Sequence, residues 1–134
     1  MFLLISTNFY EVLDGQWWYI DRNLDLEATK ASAQALVIDS IKQGVTTIFD
    51  HHASFCEIPG SLMKIAEVTK EFGMRACLCY EVSDRDGEEK SLQSIQENKD
   101  FCPAVAGRHT KTGTVTLWKM DRNRRYRPLF FKDP

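Results

Sequence analysis

The stretch GVTTIFDHHAS, residues 44–54, decides how this chain is read. It is a β-branched apolar run ending in an acid and two adjacent histidines, in a chain of 134 residues with only 3 histidines. The run over residues 45–50 is apolar on both alternating faces, which predicts a parallel strand buried on both sides. Upstream, DLEATKASAQALVIDSIKQG carries helix signals: Asp25 as N-cap, Glu27 in the first turn and Gly44 as the stop. Ala28, Ala31, Ala35 and Ile38 form one stripe that Leu36, Val37 and Ile41 widen, so much of this helix is expected to be covered. Downstream, Pro59-Gly60 predicts a turn and Ser61 a cap. Leu62, Ile65, Ala66, Thr69 and Phe72 then keep helical spacing until Gly73. MRACLCY, residues 74–80, reads as a second two-sided apolar strand.

Strand, helix and strand over residues 45–80 make one βαβ unit with parallel strands. In such sheets the carboxyl ends of the strands share one edge, and ligands bind there. Asp50, His51 and His52 are expected after the first strand, and Glu81, Asp84, Arg85 and Asp86 after the second. Two polar groups distant in sequence therefore meet on one rim. GEEKSLQSIQENKDF then predicts a helix with Leu92 and Ile95 inward, and AVAG, residues 104–107, a short strand leading to Arg108 and His109.

His51 and His52 are adjacent, so on a strand their side chains point to opposite faces and at most one faces the rim squarely. No HxH or HExxH pair accompanies them, and substrate contact by one of the two is preferred to a metal role. Glu81 comes straight off its strand and is a substrate-contact candidate, whereas SDRDG is good turn chemistry that accounts for Asp84 and Asp86. Trp17 and Trp18, beside Asp21 and Arg22, read as packing residues. Cys56, Cys77, Cys79 and Cys102 form no CxxC pair and read as buried thiols of a reducing compartment.

A chain of this length holds one ordinary domain, and 43% hydrophobic with 27% charged residues is the composition of a soluble globular protein. The opening MFLLIS lacks the flanks of a signal peptide, and no stretch reaches membrane-spanning length, so a cytoplasmic location without membrane association is expected. The charge is uneven. Residues 1–106 hold 9 Lys plus Arg against 17 Asp plus Glu, a net of −8, whereas residues 107–134 hold 8 against 2, a net of +6. The basic run RNRRYR, residues 122–127, invites a nucleic-acid reading, but it sits in no recognisable binding module, and nucleic acid is not the expected partner.

GVTTIFDHHAS followed by GSLMKIAEVTKEFGMRACLCYEVSDRDG resembles the SsnA-type aminohydrolases. These are a branch of the amidohydrolase superfamily related to the chlorohydrolases and to cytosine and guanine deaminases. NFYEVLDGQWWYIDRNLDLEAT, with its paired tryptophans, is similar to the same proteins, and the resemblance runs from about residue 8 to about residue 105. It implies an α/β fold: a (β/α)8 barrel of the TIM type with a flanking β-sandwich, in which a divalent metal, zinc or iron, activates water against a C–N bond of an amide, amidine or ring substrate. Such a barrel takes about 250 residues. The resemblance therefore implies a partial barrel here, roughly strands two to four, over residues 1–107.

The HxH of the family's first strand and the ligands of its later strands have no counterparts in this sequence. No catalytic residue and no metal ligand can therefore be assigned, and the chain is expected to bind no metal and to be inactive by itself. A Gly-x-His ends the family's fourth strand, which makes His109 a further substrate-contact candidate. Residues 108–134 depart from the family pattern and read as a poorly ordered basic tail that adds nothing to the fold; a frameshift would account for it. Exposed barrel edges would favour oligomers or aggregates. The competing reading is a small non-enzymatic α/β binding module whose basic tail contacts nucleic acid.

Overall fold

The computed structural model describes residues 8–105 together with two short strands at 117–120 and 126–129. The chain is mixed α/β with a small parallel sheet. It opens with α1, Phe9–Val12, a π-helical turn, Leu13–Trp17, and α2, Trp18–Asp21. Asn8 caps α1 by accepting from the Glu11 amide at 3.1 Å. Helix α3, Leu26–Lys42, begins where the sequence places it. The Asp25 side chain accepts from the Ala28 amide at 2.7 Å, satisfying an amide that has no partner inside the helix.

Strands β1, Thr47–His52, and β2, Arg75–Tyr80, pair in parallel, with Thr47 opposite Arg75 and His52 opposite Tyr80. Helix α4, Ser61–Glu71, connects them and packs against α3 and β2. Strand β3, Val82–Ser83, follows Glu81, and helix α5 runs Glu88–Val105. Within the basic carboxyl-terminal segment, β4, Leu117–Met120, pairs in parallel with β3, and β5, Tyr126–Leu129, pairs antiparallel with β4. The core gathers Val37 of α3, Leu62, Ile65 and Val68 of α4, Leu78 and Tyr80 of β2 and Phe101 of α5, with Phe55 and Ile58 from the loop after β1.

Several expectations change. β1 starts two residues later than the apolar run suggests, and its pairing with β2 continues through Asp50, His51 and His52, which therefore lie in the strand and not after it. It is also not buried on both faces: Thr47, Phe49 and His51 are exposed, and only Ile48, Asp50 and His52 turn towards the helices. In α3 the buried residues are Thr29, Ala33 and Val37, one i, i+4, i+8 row, while Leu36, Ile38 and Ile41 of the expected stripe stay exposed. Its buried residues form a single narrow row, and the element it packs against is α4.

Ser61 is the first residue of α4 rather than its cap. Gly60 holds that position with φ 86, and the cap comes from elsewhere: the Glu97 carboxylate accepts from the amides of Gly60 at 2.7 Å and Leu62 at 3.0 Å. That inward duty explains why α5 turns polar residues to the inside. α5 buries Ser91, Ser94, Glu97, Asn98 and Phe101, and Leu92, expected inside, is 60% exposed. Ala104 and Val105, expected in a strand, continue α5 past Pro103. Cys77 and Cys79 are half-buried, but Cys56 and Cys102 are exposed, against the expectation for all four.

Candidate functional site at the carboxyl ends of the parallel strands

The alternation of β1 separates its two histidines. His51 faces the side of the sheet covered by the amino-terminal helical segment, where an open cavity of about 340 Å³ is lined by Phe9, Trp17, Trp18, Asp21, His51, Glu81 and Arg85 among others. His52 turns to the opposite side. Its ring meets Tyr80 edge-on at 5.6 Å between centroids, and its Nε2 atom is buried without a hydrogen-bond partner among the described residues. Glu81, one residue beyond β2, prolongs the pairing through its amide, which donates to the His52 carbonyl at 2.8 Å. The sheet edge thus brings His51 and Glu81 into one cavity and sends His52 into the packing. His109 lies outside the described residues.

The electrostatic centre of this cavity wall is Arg85. Its guanidinium is buried, donates to a Glu81 carboxylate oxygen, and donates to Asp21 Oδ2 at 2.6 Å. Asp86 Oδ2 stands 3.5 Å from its Nε, and Arg22 donates to Asp86 Oδ1 at 2.7 Å. The flat cation lies over the rings of Phe55, 4.5 Å from its centroid, and Trp18, 5.2 Å away, a placement favoured by the negative faces of those rings. Asp86 thus does more than form the turn expected of SDRDG, although the turn is present: the Gly87 amide donates to the Asp84 carbonyl at 3.2 Å, and Gly87 has φ 97.

Three carboxylates face two guanidinium groups here, so one negative charge is left over in a partly dry setting. Burial raises the Asp21 pKa to about 6, although Arg85 pulls it down and Glu81 and Asp86 push it up. Burial likewise raises Glu81, against the pull of Arg85. His51 sits at the open mouth. Loss of water around its ring lowers its pKa and Asp50 opposes the shift, while His52 is lowered further, to about 4, by burial. Asp50 shares the helix side with His52, and burial raises its pKa. Near neutral pH the cavity therefore offers a neutral imidazole, two carboxylates that hold protons more readily than usual, and aromatic walls.

A divalent metal does not fit this wall. The position between the carboxylates is taken by the Arg85 guanidinium, and among the described residues no three His, Cys, Asp or Glu side chains come together in a metal-holding arrangement. Also among the described residues, no helix is long and apolar enough to cross a membrane.

Asp21 and Arg22 are the site residues that the sequence did not place on the rim, whereas Arg85 was expected there after the second strand. Asp21 and Arg22 lie 64 residues from the partners they meet, Arg85 and Asp86. The one sequence signal available was the complementary order of the pairs Asp21-Arg22 and Arg85-Asp86.

No protein-family model matches the chain, and no solved structure matches it. Among curated proteins, 84 residues of the chain, 63% of its length, are 27% identical to 5-methylthioadenosine/S-adenosylhomocysteine deaminase 2 of Archaeoglobus fulgidus. The match spans 18% of that enzyme's length. This supports an amidohydrolase-like relationship.

Proposed function

We propose that residues 8–105 are a section of an SsnA-type amidohydrolase barrel wall, with β1 and β2 as neighbouring barrel strands, and that their rim contacts a small-molecule substrate. The observation that carries the reading is the convergence of His51 and Glu81, from the ends of adjacent parallel strands, on one cavity. The similarity to an archaeal deaminase supports the reaction class, hydrolysis at a C–N bond of an amide, amidine or aminated ring. His51, neutral near pH 7, can donate or accept one hydrogen bond to the substrate. Glu81 and Asp21 can accept from an amine or amidine, and Arg85 fixes the orientation of both carboxylates. Trp17 and Phe9 supply aromatic surface for a ring. The zinc or iron of this superfamily has no holder among the described residues, so these side chains bind and orient but do not activate water, and the chain by itself is not expected to turn over substrate. A reducing, cytoplasmic setting goes with this reading.

The test is made on the purified 134-residue chain. Metal analysis after incubation with zinc or iron is expected to find less than stoichiometric metal, and assays with adenosine-type and amidine substrates are expected to find no ammonia release. Nuclear magnetic resonance titration with 5-methylthioadenosine is expected to move the His51 and Glu81 signals. Stoichiometric metal with metal-dependent turnover would overturn the claim of inactivity. Perturbations confined to other residues would overturn the rim assignment, and a salt-sensitive shift with generic RNA or DNA would favour the nucleic-acid-binding module instead.

A further inference from the structure

On the helix side of β1, away from the cavity that holds His51, a second and smaller cavity of about 110 Å³ lies between α3 and β1. Two buried polar atoms belong to residues in its wall. Thr29, 2% exposed, has an Oγ1 atom with no hydrogen-bond partner among the described residues, and His52 has its buried Nε2 in the same condition. Ser32 and Asp50 line the same space, with Val37 and Ile65 among the apolar residues that complete it. The geometry points to a hydration site: ordered water in this cavity bridges the Thr29 hydroxyl to the Nε2 atom of His52. The inference is independent of the proposed enzymatic reading.

Three observations favour water as the ligand. Buried hydroxyl and imidazole groups almost always find a partner, and a threonine inside a helix commonly uses a carbonyl of the preceding turn, which Thr29 does not. The space admits more than one water but is small for an organic ligand, and Thr29, Asp50 and His52 offer the two to four polar contacts that a buried water needs, with the exposed Ser32 at the outer edge. His52 is neutral at neutral pH because burial holds its pKa near 4, so one ring nitrogen accepts while the other donates. Bridging water then satisfies a donor on α3 and an acceptor on β1, and ties the helix to the strand where apolar contact is thin.

The sign of a single variant decides the matter. Thr29→Val keeps the shape and removes the hydroxyl. If water bridges the two residues, the variant strands the water and His52 and lowers the folded-to-unfolded ratio in urea titrations by about tenfold. If the hydroxyl is a true orphan, its removal leaves the ratio unchanged or raises it, and either result overturns the proposal. On the unmodified chain, nuclear Overhauser contacts from water to Thr29 and the His52 ring are expected, and their absence counts against the bridge. A loss of stability on adding a chelator would place a metal ion there and would also overturn it.

Discussion

At the scale of single residues, the buried titratable groups act on stability in opposite directions. The folded-state pKa of His52 is lowered from 6.5 to about 4, so the unfolded chain binds more protons there, and stability falls as pH drops from 6.5 towards 4. Asp21 is raised from 3.8 to about 6, so the folded chain binds more protons, and this group's penalty is relieved as pH drops through the same window. His51 shifts in the same direction as His52, and Asp50 and Glu81 in the same direction as Asp21. Replacing Asp21→Asn removes one of the three carboxylates on that side of the balance. The variant is expected to lose stability between pH 7 and pH 4 more steeply than the parent, by about 2 kcal/mol, in denaturant titrations at each pH. Equal slopes would show that Asp21 does not titrate in that window. Arg85 makes the second residue-scale case: its guanidinium is buried against two carboxylates, and Arg85→Met is expected to destabilise by about 3 kcal/mol by leaving those charges unpaired, read as a lower urea midpoint.

At the scale of elements, two adjacent residues of α5 hold its neighbours in place. Glu97 caps α4, while Asn98 acts like a strand beside β2, accepting from the Tyr80 amide at 2.9 Å and donating to the Tyr80 carbonyl at 3.0 Å. A polar inner face therefore replaces the apolar one expected of a surface helix. Glu97→Ala leaves the amides of Gly60, before α4, and Leu62, within it, without their acceptor and is expected to cost about 2 kcal/mol, with Glu97→Gln costing less because one acceptor oxygen remains. A Glu97→Ala chain with an unchanged urea midpoint would remove this cap from the account. The comparison of α3 with α4 shows what was legible. Asp25 caps a helix that starts one residue later, so its role could be read locally. The cap of α4 is 37 residues from Gly60, and no local pattern announces it.

At the scale of the whole molecule, the apolar surface is incompletely covered. Phe49 is 80% exposed, Leu36 51% and Ile41 45%, and among the described residues β1 is paired along one edge only. An edge strand bearing a bare phenylalanine is a template for association with another chain. The molar mass read by light scattering is expected to rise with protein concentration for the parent chain. Phe49→Lys is expected to reduce that rise several-fold while changing stability by less than about 0.5 kcal/mol, since the ring buries little. Scattering equal to the parent's would show that the β1 edge is not the contact.

What the sequence determined by itself was the order of the central elements. The α3 start at Asp25, the helix and strand between Gly60 and Tyr80, and the parallel pairing of β1 with β2 all follow from spacing, caps and the length of a βαβ connection. It also required His51 and His52 to face opposite ways, because side chains alternate along a strand. Tertiary structure alone decided which histidine met the cavity, which row of α3 was buried, and that Leu92 would be outside while Glu97 and Asn98 were inside. Those outcomes depend on partners far along the chain: Arg85 reaching Asp21, Glu97 reaching α4, Asn98 reaching Tyr80. Periodicity reports how apolar a face is, whereas a buried carboxylate or amide is stable only once a distant donor completes it, and that donor appears only when the chain has folded.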